Sequence, residues 1–322
     1  MSDRIERIVN AVLYEGYMLY PYRASSVKNR QRWNFGVVVP EVYRSAVDPS
    51  ERSVLKTECL LETQMDTTVS ICLRFLQLVK REVTGGATSI DPLEGCDETI
   101  ERELALPELR PSGMSPFRVA IVIPDSTSET TENGQTIVRT NEAIRGEVVV
   151  ESKYAGDDAV LLSVFIANST PIDASAASRD DALRRSLLSA HAVLTAHDGD
   201  FVSLIDPPDR FAEAVASCRQ DGLYPVLAGE EGDRQTVLAA PIILYDHPQV
   251  APESPDNLFD GTEIDEILTL RIQTLSDDEK REIRGADART RHLLERADSL
   301  DRESLARLHG TLRRERPDGS AP

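Results

Sequence analysis

The 322-residue chain is short of positive charge, of aromatic side chains and of long apolar runs. It contains 36 Lys and Arg against 55 Asp and Glu, which gives a formal net charge of −19, and aromatic residues make up 5% of it. A surface this acidic repels nucleic-acid phosphates and anionic lipid headgroups, so we expect neither nucleic acid nor a membrane as partner. No stretch of the sequence approaches the roughly 20 apolar residues that a membrane-spanning helix needs.

The sequence also lacks the short motifs of common enzyme classes. It contains no G-x-S-x-G nucleophile elbow, no phosphate-binding P-loop and no dinucleotide-binding glycine fingerprint. No Cys/His set has zinc spacing, and the cysteines form no closely spaced pair; they are Cys59, Cys72, Cys96 and Cys218. The opening stretch "MSDRIERIVNAVLYEG" carries acids among its apolar residues, unlike an export signal. We accordingly expect a cytoplasmic protein with reduced thiols and with no catalytic residues, no metal and no cofactor.

Hydrophobic periodicity predicts an N-terminal helix followed by a β-rich centre. Apolar residues recur at helical spacing between Ile5 and Val12, whereas those between Val69 and Phe75 alternate with polar residues, as in a strand. The stretches "FRVAIVIP" and "GEVVVESKYAGDDAVLLSVFIANST" predict further strands, the second a hairpin that turns at "KYAGDD". The stretch "PDSTSETTENGQT" between them is polar and predicts a loop.

From residue 173 the pattern predicts mainly helices. The stretch "SRDDALRRSLLSAHAVLTAH" has Ser178 as a candidate N-cap and acids in its first turn. His191 and His197 would then lie near the end of that helix, where the helix dipole favours an imidazolium, and this interpretation is preferred to a fragment of a metal-dependent phosphohydrolase. "TVLAAPIILYD" predicts a buried strand, and the region beyond residue 260 predicts helices almost to the end.

These patterns together predict an α+β fold with a β-sandwich-like antiparallel core, packed helices and a C-terminal helical extension. We expect a core domain over residues 1–260, with a β-rich centre at about 53–172 and a mixed α/β part at about 173–260. The helical extension is predicted over residues 261–322.

One segment contrasts with the acidity of the chain. Residues 19–36, "LYPYRASSVKNRQRWNFG", hold four cations and no acid, and we call them the basic-aromatic segment. Arginine beside tyrosine or tryptophan makes cation–π and bidentate contacts that are common in protein interfaces. The candidate binding residues here are Tyr20, Tyr22, Arg23, Lys28, Arg30, Arg32 and Trp33.

A second segment has the opposite charge. Residues 246–266, "DHPQVAPESPDNLFDGTEIDE", form what we call the acidic loop. No Lys or Arg occurs between positions 235 and 270. An EF-hand begun at Asp256 fails because Leu258 and Ile267 would occupy ligand positions, so a solvated loop with an N-cap is preferred to a metal site. The candidate binding residues here are Asp246, His247, Glu253, Asp256 and Asp260.

Several roles are open for the basic-aromatic segment. Three hypotheses give it a binding role: that it docks on the acidic loop, that it binds an acidic partner, or that it binds an anionic ligand. The alternative hypothesis is that its aromatic residues belong to the core and its cations are solvated.

Two stretches resemble a bacterial protein family that is encoded beside nickel–iron hydrogenase structural and maturation genes. They are "AVLYEGYMLYPYRASSVKNRQRWNFG" and "APIILYDHPQVAPESPDNLFDGTEIDEILTLRIQTLSDDEK", and they contain both charged segments. The resemblance implies an accessory or assembly role in the cytoplasm, with a hydrogenase subunit or maturation factor as protein partner. It transfers no catalytic residue to this chain.

The alternative is a small-molecule or metal-dependent enzyme with its site between the basic-aromatic segment and the acidic loop. A concave pocket lined by Arg23, Arg30, Asp246 and His247 would favour that enzyme.

Overall fold

The fold is seen in a computed structural model, which describes residues 3–14, 35–84, 97–132, 135–156 and 158–249. The helices are α1 (Asp3–Tyr14), α2 (Glu41–Ala46), α3 (Arg179–Leu183) and α4 (Ala212–Ser217), with a 3-10 turn at Asp209–Phe211. The strands are β1 (Val54–Thr84), β2 (Glu98–Ala105), β3 (Phe117–Ile123), β4 (Ser126–Glu132), β5 (Gln135–Asn141), β6 (Ile144–Tyr154), β7 (Ala159–Asn168), β8 (Leu188–Phe201), β9 (Tyr224–Ala228) and β10 (Thr236–Ala240). None of the described helices has the length and apolar character needed to cross a membrane.

The strands form an open antiparallel sheet in which the neighbours run β3-β6-β7-β1-β8-β10-β9. The antiparallel β core predicted from the sequence is therefore confirmed, and helices are few in the described part. The predicted C-terminal helical extension, residues 261–322, lies outside the described residues, and the division into domains stays a prediction. A parallel bridge between Lys56 and Gly222 brings the chain just before β9 back to β1.

Strand β1 organises the sheet because its 31 residues pair with four different strands. It pairs with β7 over residues 54–62, with β8 between 61 and 76, with β2 over 72–79 and with β5 over 80–84. The predicted alternation is confirmed, since the apolar residues between Val69 and Phe75 are buried in the main hydrophobic cluster. Burial of one face constrains the register of such a strand, and the pairing of β1 with β8 shifts register between Thr63 and Thr68 and between Arg74 and Leu76.

The N-terminal helix is also confirmed. The residues of α1 that recur at helical spacing pack on the outer side of β8, β9 and β10; they are Ile5, Ile8, Val9 and Val12. Their contacts include Val193 of β8, Val226 of β9 and Leu238 of β10. Because tertiary packing stabilises such an amphipathic helix more than intrinsic propensity does, α1 depends on this sheet face.

The long helix predicted after Ser178 is wrong. Ser178 does cap a helix, with a capping box to Asp181, but α3 contains five residues and the chain then continues as β8. Alternate residues such as Ala192 and Leu194 belong to the main core, while Val193 contacts α1, which is the two-residue period of a strand. Pairing with β1 and β10 on either side thus overrides a composition of Ala, Leu and His that is compatible with a helix.

The polar loop predicted at "PDSTSETTENGQT" is wrong as well. These residues form β4 and the first two residues of β5, and the two strands make an antiparallel hairpin that joins the far end of β1. Threonine favours strands, and Asn133-Gly134 in the sequence is a signal for a two-residue hairpin turn. The hairpin predicted around "KYAGDD" is confirmed as β6 and β7, and "FRVAIVIP" is confirmed as β3.

Candidate functional site

The candidate site residues divide into two groups. Asp246 and His247 lie in the described part of the chain, in the loop that follows β10. The others fall outside the described residues and stay predictions: Tyr20, Tyr22, Arg23, Lys28, Arg30, Arg32, Trp33, Glu253, Asp256 and Asp260. The structure therefore gives the geometry of Asp246 and His247, and of the residues where the described fold meets the two charged segments.

Ser189, at the start of β8, bonds both the end of α1 and the C-terminal end of the basic-aromatic segment. The Ser189 hydroxyl donates to the Val12 carbonyl of α1 at 2.8 Å, and the Ser189 amide donates to the Phe35 carbonyl at 3.2 Å. Ser189 has a φ of 51°, a left-handed conformation that few residues other than glycine adopt. The side-chain bond and the backbone bond together hold Val12 of α1 and Phe35 at one point on the sheet.

Gly36, the last residue of the basic-aromatic segment, touches the chain that leads to the acidic loop. Gly36 has a φ of 57°, and a Cβ placed on it would lie 2.9 Å from the Ala190 nitrogen and 3.0 Å from Cβ of Pro241. Only glycine fits a backbone that is both left-handed and this crowded. Pro241 lies five positions before Asp246, so the two charged segments enter the described fold beside each other.

Asp246 and His247 close the outer edge of β9. One carboxylate oxygen of Asp246 accepts the Leu227 amide at 2.8 Å, and the His247 amide donates to the Leu227 carbonyl at 2.7 Å. The other carboxylate oxygen accepts the Ser203 hydroxyl at 2.5 Å. Since β9 ends the strand order, these bonds replace those of a missing neighbouring strand. Asp246 therefore has a structural function that its position in an acidic loop did not reveal.

A cleft opens beside this pair, between the loop after β8, the turn between β9 and β10, and the loop after β10. Its volume is about 510 Å³, and besides Asp246 and His247 its lining includes Ile205, Asp206, Arg234 and Tyr245. Tyr245 is 84% exposed and Ile205 is 52% exposed, so the rim is apolar as well as acidic. The sequence analysis missed these residues, although Pro207-Pro208 and the glycines at 229 and 232 mark the loops that carry them.

The charges of the cleft are partly balanced within the fold. Arg234, a cation of its lining, pairs with Glu62 of β1, and its Nε donates to the Phe201 carbonyl at 3.2 Å. Glu62 also pairs with Arg210, which in turn lies 3.3 Å from Asp158. Arg234 is thus held by structural partners, and the cleft is left with a negative character.

His247 has the features of a constrained side chain. Its φ is 53°, and its Nδ1 atom is buried with no hydrogen-bond partner among the described residues. A buried ring nitrogen without a partner is uncommon and is the feature of this cleft that could accept a ligand. Within the described ranges, no three His, Cys, Asp or Glu side chains lie close enough together to hold a metal ion.

The other histidines do not lie where the sequence analysis expected them. His191 and His197 belong to β8 rather than to a helix end, so the dipole interpretation is wrong. His191 is fully buried, its Nδ1 lies 2.8 Å from the Ser189 carbonyl oxygen, and its Nε2 has no partner among the described residues. Burial, with the neighbouring Arg74 guanidinium, lowers the pKa of His191 to about 4, opposite to the effect of a helix C-terminus.

The described cysteines have the properties of inert thiols. Burial raises the pKa of Cys59 and of Cys72 to about 12, and that of Cys218 to about 11. All three are free thiols, and Cys96 lies outside the described residues. A thiol with so high a pKa is a poor nucleophile at neutral pH.

Comparison with known proteins adds no identification. No protein-family model matches the chain, and no curated protein matches it. The resemblance to the hydrogenase-associated family therefore stays a prediction.

Proposed function

We propose that this protein is a non-enzymatic accessory protein that acts through protein–protein contacts in nickel–iron hydrogenase maturation. The observation that carries the proposal is the contact between Gly36 and Pro241, because it brings together the ends of the two segments on which the family resemblance rests. A partner with paired charges would then meet the basic-aromatic segment and the acidic loop from one direction. The engagement of Asp246 in structural hydrogen bonds also favours a surface over a catalytic centre.

The proposal is tested by reversing charge in the basic-aromatic segment. Truncating desolvated Arg contacts at an interface costs about 2–5 kcal/mol each, whereas exposed pairs contribute about 0.2–1 kcal/mol to stability. We expect the double variant Arg30→Glu, Arg32→Glu to melt like the original protein but to lose its partner. The matched control is Arg110→Glu, Lys153→Glu, which makes the same charge change at two exposed positions of the described fold.

Two measurements are needed. Tagged protein is used to capture partners from cells that produce the hydrogenase, and the captured proteins are identified by mass spectrometry. Hydrogenase activity is measured in cells that lack the original gene and express each variant. Loss of hydrogenase proteins and of activity with the double variant, but not with the control, supports the proposal. Equal capture by both variants contradicts it.

The same variants test whether the two segments of this chain dock on each other. In that case, charge reversal at Arg30 and Arg32 lowers the melting temperature, and adding Asp256→Lys and Asp260→Lys restores it. An unchanged melting temperature in all these variants argues for recognition of a partner.

A second candidate function is a small-molecule or metal-dependent enzyme. It is favoured by one observation, the cleft of about 510 Å³ that is lined by Asp246 and His247, in which the His247 Nδ1 has no hydrogen-bond partner among the described residues. Arg23 and Arg30, the other two residues expected in such a pocket, lie outside the described residues. Elemental analysis of protein purified without chelator distinguishes the two functions: a stoichiometric metal that is lost in His247→Gln would favour the enzyme.

A further inference from the structure

The edge strands of the described sheet differ in how well they are protected against pairing with another strand. Strand β9 contains Pro225, which has no amide hydrogen, and its outer edge is closed by Asp246 and His247. Strand β4, "STSETTE", is polar, and β2, "ETIERELA", carries four charged residues. Such residues discourage edge-to-edge association.

Apart from one charge, on Arg118, strand β3 has none of these protective features. It begins the strand order and pairs with β6 alone among the described strands. Its sequence, "FRVAIVI", contains no Lys, Pro, Gly or acid, and Val122 is 70% exposed. The single charge, on Arg118, is neutralised by two hydrogen bonds of 2.8 and 2.9 Å to the Glu147 carboxylate of β6. A seven-residue apolar edge with its charge neutralised is a template for strand addition.

We propose that β3 pairs antiparallel with β3 of a second copy of this chain, so that the two sheets become continuous across a two-fold axis at Ala120. The residues of β3 fit this arrangement. Ala120 is the midpoint of Phe117–Ile123, so a two-fold axis there pairs all seven residues of each strand. Arg118 then lies opposite Val122 of the second copy, and no like charges face each other.

The side chains on both faces of this pairing are compatible. On one face Phe117 lies opposite Ile123 of the second copy and Val119 lies opposite Ile121, which are favourable aromatic and β-branched pairs. On the other face the small Ala120 lies opposite itself. A strand from an unrelated protein would need no such self-complementarity, which is why a second copy is the occupant that the residues of β3 favour.

The two-fold axis allows a test that depends on residue 120 facing its own copy. Ala120→Lys places two ammonium groups opposite each other in the dimer, while within one copy residue 120 faces Glu147, so the fold should be retained. Ala120→Glu places two carboxylates opposite each other, and it also lies opposite Glu147 within one copy, so its melting must first show that β3 still pairs with β6. Because like charges directly opposite oppose pairing, each variant alone should dimerise more weakly, with the dissociation constant raised by up to about fivefold. An equimolar mixture of the two variants should dimerise again, because Lys then faces Glu.

The measurement is analytical ultracentrifugation of the full chain over a micromolar concentration series, with circular dichroism melting to verify the fold of each variant. The original protein should shift from monomer to dimer with concentration, and more so at higher salt, because screening reduces repulsion between copies that each carry a net charge of −19. Met65→Lys and Met65→Glu are the matched controls, since Met65 is 97% exposed and lies outside β3, and both should dimerise like the original.

Amide hydrogen exchange gives an independent readout over residues 117–123. Protection that increases with protein concentration supports self-pairing. The proposal is overturned if the original protein stays monomeric over the series. In that case, high amide protection of β3 at every concentration would mean that another part of this chain pairs with it, and low protection would leave β3 to pair with a different protein. It is also overturned if the Lys and Glu variants of Ala120 fail to dimerise on mixing while each is folded.

Discussion

Replacing His191 by glutamine should remove much of the dependence of stability on pH below neutrality. His191 is fully buried on β8, in a cross-strand pair with Arg74 of β1, whose guanidinium donates to Asn10 of α1 at 3.0 Å. A proton on His191 would place a second positive charge beside Arg74 with no solvent to stabilise it. Burial is the main reason that the pKa of His191 falls to about 4.

The direction of the effect follows from the two pKa values of His191. The imidazole has a pKa of 6.5 in the unfolded chain and about 4 in the folded protein, so between these values the unfolded chain binds more protons. The stabilisation is complete above pH 6.5 and is lost as the pH falls toward 4. At 1.36 kcal/mol per pKa unit, the full loss is about 3 kcal/mol, of which about 2 kcal/mol has gone by pH 5.

The assay is equilibrium denaturation by urea at several pH values from neutral to about 5 for the original protein, His191→Gln and His197→Gln. The quantity compared is the change of unfolding free energy with pH, because His191→Gln also lowers the stability at neutral pH by altering the core. Other groups with shifted pKa values, such as Asp97 and Glu58, are the same in all three proteins and cancel. His197 is exposed at the far end of β8 and serves as the control.

Equal pH dependence in the original protein and in His191→Gln would refute this reasoning. It would mean that the buried site accommodates the imidazolium, for example by a movement of α1. The expected result is that His197→Gln keeps the pH dependence of the original protein and that His191→Gln loses much of it.

Two further predictions concern the place where the charged segments join the fold. Gly36→Ala should destabilise the protein by about 1–3 kcal/mol, because position 36 combines a left-handed φ with close contact to Ala190. The measurement is thermal melting, with Gly232→Ala as the control, because Gly232 has a positive φ but a Cβ added there would have no atom within 4 Å. Asp246→Ala should cost about 1–3 kcal/mol because it leaves the hydrogen-bonding groups at the β9 edge without their acceptor. Asp206→Ala, at an exposed residue of the same cleft, should change stability by less than about 0.5 kcal/mol, and an equal loss in both would contradict the structural function of Asp246.

The candidate site was predicted in part. Charge composition alone identified the two segments, since a run of four cations without an acid is conspicuous in a chain with a net charge of −19. Their proximity through Gly36 and Pro241 could not be predicted, because it depends on contacts between residues about 200 positions apart. The structural function of Asp246 was hidden for the same reason, as its hydrogen-bond partners are Ser203 and Leu227.

Local patterns by themselves determined the elements whose periodicity is unambiguous. The helical spacing in α1, the alternation in β1, the β6–β7 hairpin and the N-cap at Ser178 all follow from neighbouring residues, and the structure has each of them. The tertiary structure decided the rest. Residues 188–201 carry Ala, Leu and His, which suit a helix or a strand equally, and they became β8 because β1 and β10 supply backbone partners on both sides and α1 covers the outer face. Hydrogen bonds between distant strands are invisible in a local pattern, and here they outweigh intrinsic propensities that differ by only tenths of a kcal/mol per residue.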